Sequence, residues 1–113
     1  MSIDHAAVLF VGLNINDDRL DLTNLTGVTQ ADIDNGDVAY ILDADHKSNI
    51  VVYNTDGKQL IGFLIAESYY EIKVLDSSAI KNKIEIAEQE FTEIFDVFPE
   101  LYLFDAISWL DKI

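Results

Sequence analysis

Ser77-Ser-Ala-Ile80-Lys-Asn-Lys-Ile84-Glu-Ile-Ala87-Glu-Gln-Glu-Phe91-Thr-Glu-Ile94-Phe-Asp-Val-Phe98 is the stretch that decides the fold. Its apolar residues Ile80, Ile84, Ala87, Phe91, Ile94 and Phe98 step by four, three, four, three and four, which is one face of an α-helix. Ser77 or Ser78 is placed to cap the start. Pro99 supplies the stop, since proline lacks an amide donor and disfavours helical dihedrals at Phe98. The spacing therefore predicts a helix over 77–98 with those six side chains turned inward.

Outward from the helix the pattern is that of strands. Val38–Leu42, Ile50–Tyr53, Leu60–Ile65 and Tyr69–Leu75 are rich in β-branched and aromatic residues and are separated by polar links. Between the second and third lies Asp56-Gly57, the strongest turn signal in the chain. Together the four read as an antiparallel meander. Residues 6–13 form a continuous apolar run suited to a buried central strand, and the aromatic run 101–109 reads as a last strand. Thr29-Gln-Ala-Asp32 has the form of a capping box opening a short helix that Asn35-Gly36 would end. The expected architecture is a single α+β domain over 1–113. Its sheet is mostly antiparallel, with five or six strands, and the 77–98 helix packs on one face.

Composition narrows the function classes. The 113 residues are 50% hydrophobic and 11% aromatic, too apolar for intrinsic disorder. Net charge is -14 and the isoelectric point is near 4.1, which opposes direct contact with nucleic acid or with anionic membrane surfaces. No apolar run approaches the roughly 18 residues of a transmembrane span. With no cysteine there is no disulfide, thiolate metal site or thiol nucleophile. The opening Met-Ser-Ile-Asp-His lacks the basic segment of a secretory signal, so the cytoplasm is the expected compartment.

The charge is unevenly placed. Between Ile84 and Leu110 lie Glu85, Glu88, Glu90, Glu93, Asp96, Glu100 and Asp105, and no basic residue. Like charges three or four apart on a helix repel by a few tenths of a kcal/mol per pair, so a basic partner is the natural counterweight. The predicted inward face turns Glu85, Glu88, Glu93 and Asp96 towards water, with Glu90 nearer the boundary. Glu85, Glu88, Glu93, Asp96 and Glu100 are the candidate partner-binding residues. A second acidic group, Asp17, Asp18, Asp21, Asp32, Asp34 and Asp37, falls mostly in turns and at helix ends, where aspartate serves the backbone.

Other chemistry finds little support. Asp43, Asp45 and His46 are the one constellation with a metal-like pattern, but Lys47 and Ser48 occupy positions a calcium loop needs otherwise, and no metal site is expected. His5 and His46 are the only histidines, no catalytic motif is present, and no cofactor or enzymatic activity is expected. Tyr69, Tyr70, Tyr102, Phe104 and Trp109 read mainly as core, with one of Tyr69 and Tyr70 outside.

The expected function is that of a small acidic, non-enzymatic binding protein or inhibitor. It would occupy a basic surface of a partner protein, one that handles nucleic acid, in the manner of a DNA mimic. Small phage-encoded inhibitors of host defence and nuclease immunity proteins are similar in size and charge. That is an analogy of type, and no motif places the chain in a named family. The alternative is a structural or assembly protein whose sheet edge or exposed aromatics form a homo-oligomer, with acidity serving only solubility. Monomer and homodimer are both compatible with the sequence.

Overall fold

The computed structural model describes residues 3–25, 27–44, 49–55, 57–69 and 72–109. In chain order they form β1 (Ile3–Asn14), a 3-10 turn at Leu22–Asn24, α1 (Gln30–Asp34) and α2 (Val38–Ala44). There follow β2 (Val51–Thr55), β3 (Lys58–Tyr69), α3 (Ser77–Phe95) and β4 (Glu100–Trp109). The class is α+β, as expected, but the sheet has four strands among the described residues rather than five or six. Two of the predicted strands account for the difference. Val38–Leu42 is helical: Val38 and Leu42, four apart, are buried together while Tyr40 is 77% exposed, and strand alternation would have buried all three. The run Tyr69–Leu75 does not begin a new strand. Tyr69 ends the twelve-residue β3, and 72–76 leads into α3 without strand pairing. No helix among the described residues is long and apolar enough to cross a membrane.

The strand order is β2-β3-β1-β4, every neighbouring pair antiparallel, so the predicted meander is not the topology. β1 does take an inner place, paired on one side with β3 and on the other with β4. The Asp56-Gly57 signal marks the β2–β3 hairpin: Thr55 pairs with Lys58, and Gly57 has φ 74°, though Asp56 lies outside the described residues. Gly12 and Gly62 face each other in the β1–β3 ladder. A Cβ on Gly62 would sit 2.0 Å from the Val11 carbonyl oxygen, and one on Gly12 2.1 Å from that of Ile61. Only glycine permits so close an approach, and it lets the strands bend there.

The bent sheet curls away from α3, bringing its edges β2 and β4 towards each other. Phe10, Tyr53 and Phe104 meet in the concavity as three edge-to-face pairs, with centroids 5.6, 6.2 and 6.0 Å apart. Around them Val8, Phe10 and Leu60 are buried, with Val51, Leu64 and Tyr102 packed alongside. The sheet thus buries this face mostly by itself.

The other face carries the larger core. Val11, Leu13, Ile61, Phe63 and Ile65 of the sheet pack against Ala87, Phe91 and Phe95 of α3 and against Leu22, Leu25, Val28, Val38 and Leu42. α3 starts one residue earlier in its capping than predicted: the Asp76 carboxylate accepts from the amides of Ser78 (2.9 Å) and Ala79 (3.1 Å). It also ends earlier. Asp96 is its left-handed C-cap at φ 56°, so the chain turns before Phe98 can continue the stripe. Phe98, predicted inward, is 63% exposed, Phe95 fills the core instead, and Pro99 is buried. The Thr29–Asp32 capping box forms as the sequence indicated and opens α1.

Candidate functional site

α3 positions the acidic residues. With Ala87, Phe91 and Phe95 on the sheet, Glu85 and Glu93 are exposed and Glu88 is half-buried on the helix flank. Asp96 is exposed at the C-cap, and Glu100, exposed, opens β4 four residues later. The turn from α3 into β4 therefore gathers Glu93, Asp96 and Glu100 at one corner. Among the described residues, no lysine or arginine lies within ion-pair distance of any of the five candidates. Lys83, on the same helix, is held elsewhere: its Nζ donates to the Ile65 carbonyl at 2.9 Å.

Helix stability does not explain this placement. A helix C-terminus carries partial negative charge and favours cations, yet the last turn of α3 has no basic residue and is followed by aspartate. The left-handed C-cap favours glycine, which Asp96 is not. Glu85 with Glu88, Glu90 with Glu93, and Glu93 with Asp96 are like-charge pairs three apart. Local bonding is slight: Gln89 Nε2 donates to Glu93 Oε1 at 3.3 Å, and Tyr102 Oη donates to Glu100 Oε2 at 3.1 Å. Burial, helped by the Glu100 carboxylate beside it, pushes the Tyr102 phenol up from its ordinary value.

The second acidic group contrasts with the first. Asp17 is paired with Arg19 at 2.9 Å, and that hydrogen-bonded guanidinium holds its carboxyl down to about 2. Asp21 caps the 3-10 turn through the Thr23 amide, Asp32 closes the capping box with Thr29, and Asp34 accepts from Gln30. Four of these six aspartates have structural work within the fold. The carboxylates of α3 and its exit turn have almost none.

Apolar side chains stand beside the acidic corner. Leu101 and Leu103 of β4 are 51% and 77% exposed, and Phe98 stands out in the turn before them. By register they share the α3 face with Val11 and Leu9, but α3 lies over β3 and β1 and leaves β4 uncovered. The sequence reading missed the two leucines and looked to aromatics instead. Tyr102 and Phe104 point into the curled face and are half-buried, Tyr69 is partly exposed, and the Tyr70 and Trp109 side chains lie outside the described residues. One signal was available: Leu101-Tyr-Leu-Phe104 is apolar on both faces, so that strand needs cover on both. Asp45 and His46, and the Asp43 side chain, also lie outside the described residues.

No family model, curated protein or solved structure matches the chain. The surface has to be interpreted from its own chemistry.

Proposed function

We propose that this protein is a non-enzymatic acidic binding protein whose α3 outer face and α3–β4 corner dock on a basic surface of a partner protein. The reading is carried by one contrast: the carboxylates of the Asp17–Asp37 region are mostly used by the fold, whereas Glu85, Glu88, Glu93 and Asp96 form no salt bridge among the described residues and crowd one another along α3 and its cap. Glu100, which follows them, feels the charge of Arg19. Such a surface steers a basic partner and sets its register. Carboxylates three or four residues apart on a helix are about 5–6 Å apart at Cβ, a regular anionic row of the kind a nucleic-acid-binding surface accepts. A nucleic-acid-handling partner, blocked by a mimic of its ligand, is the function this favours.

The test is a matched pair of charge reversals. Glu85→Lys with Glu93→Lys alters the proposed face, and Asp34→Lys with Asp37→Lys makes the same change in net charge at exposed sites in α1 and the turn that follows it. With a partner isolated by cross-linking, the first variant is expected to slow association about tenfold or more and to flatten its salt dependence. The second should have a much smaller effect. Equal losses from both would reduce the interaction to net charge, and no loss from either would eliminate the acidic face as a binding surface.

A further inference from the structure

β4 is an unfinished part of the layer that α3 begins. Strands lie about 4.8 Å apart and packed helices 8–10 Å apart. A second helix alongside α3, which sits over β3 and β1, would therefore come to rest on β4. That position has an apolar floor. Leu101 and Leu103 are exposed there, and a cleft of about 190 Å³ opens between Leu103, Leu9, Ala7, Ala66 and Leu75.

The border of this slot is acidic at one end. Lys83, Ile86 and Glu90 line the cleft on the β2 side of α3, so helical phase turns Glu88 and Glu85 to the β4 side. Asp96 closes the same end at the corner, while Glu100, bonded to Tyr102, belongs to the opposite face of β4. Two lysines stand at its other end: Lys73 lines the cleft beside Leu75 and donates its Nζ to the Glu67 carbonyl at 3.2 Å, and Lys81 lies in the first turns of α3.

We propose that the β4 side of the sheet is a docking slot for a basic amphipathic helix of a partner protein, which completes a two-helix layer beside α3. This rests on the acidic-face reading above and adds the shape of the partner to its charge. Leucine-type side chains of the incoming helix cover Leu101, Leu103 and Leu9, and its lysines or arginines meet Glu85, Glu88 and Asp96. A second copy of this chain is a poor occupant. It would set -14 against -14 and bring the same carboxylate border against itself.

The probe is a synthetic peptide of about 14 residues, roughly 21 Å long as a helix, built of Leu-Lys-Lys-Leu-Leu-Lys-Leu repeats. Its control is an isomer of identical composition with the leucines scattered around the helix. Fluorescence anisotropy gives the affinities, and backbone amide shifts in NMR give the place. The amphipathic peptide is expected to bind about tenfold tighter than the isomer, with the largest shifts at Leu9, Leu101 and Leu103. Leu101→Ser with Leu103→Ser should abolish that preference while an unchanged unfolding midpoint shows the fold intact. Equal binding of both peptides, shifts centred on Lys83 and Ile86, or a wild-type dimer in light scattering that the serine variant dissociates, would each overturn the slot. If the serine variant binds normally while Glu85→Lys with Glu93→Lys slows both peptides, the slot fails and the acidic-face reading survives. Leucine-dependent binding indifferent to that charge reversal would sink the acidic face, and with it the basic character assigned to the occupant.

Discussion

Single residues show where this fold has no slack. Gly62 admits no side chain, because the Val11 carbonyl occupies the place of its Cβ. Gly62→Ala is expected to cost at least about 3 kcal/mol, the upper range for overpacking, or to prevent folding. Gly57→Ala in the hairpin turn meets no atom within 4 Å and should cost less, through its positive φ alone. Urea midpoints of the two variants measure the difference. Tyr53 makes a different prediction. Burial, with the Glu67 carboxylate 3.2 Å from its hydroxyl, pushes the phenol from 10.0 up to about 12. The folded state keeps this proton after the unfolded chain has released it. Stability from Tyr53 is therefore complete below pH 10 and is lost as pH rises through about 12. Tyr53→Phe should make the unfolding free energy fall less steeply over that interval and remove a phenol that titrates near 12 from the absorbance titration.

At the level of elements, the two ends of α3 are governed by opposite demands. Asp76 serves the helix, and Asp76→Ala should cost about 1 kcal/mol for the two amides left without their acceptor. Asp96 sits in a left-handed cap with its charge at the negative end of the dipole. Asp96→Gly should stabilise the protein by about 0.5–1 kcal/mol while weakening partner association. Thermal unfolding and association rates measured on the same variant would show the opposed signs. The elements also show what could be learned from sequence and why. α3 was legible because nineteen residues carry a repeated spacing, and the β2–β3 hairpin because Asp-Gly marks its turn. α2 was not legible, because in so short an apolar run Val38 and Leu42 suit a helix and a strand equally until their burial is known. Phe98 was misplaced because a left-handed aspartate, rather than the proline, ended the helix. The carboxylates of the candidate surface could be named from the sequence, since charge and spacing are local properties. Leu101 and Leu103 could be read only as needing cover, not as left without it, since their exposure depends on which half of the sheet α3 covers.

The whole molecule has a charge that acts in two directions. With -14 on 113 residues, self-repulsion works against the compact state. Salt shortens the reach of that repulsion to about 10 Å at 0.1 M. Added sodium chloride should therefore raise the unfolding temperature of the isolated protein while slowing its association with a basic partner. Calorimetry and association rates over one salt series would show the two trends diverging. The register of the sheet carries a temporal consequence as well. β1 takes half of its ladder from β4, with Ile3 opposite Trp109 and Gly12 opposite Glu100. Every other described element lies between these two strands, so joining them closes a long loop, at an entropic cost that slows folding. On the ribosome, Val8 and Phe10 are made well before Phe104 and cannot bury their aromatic face until it has emerged. Until β4 follows, β1 is a sticky edge waiting for its neighbour.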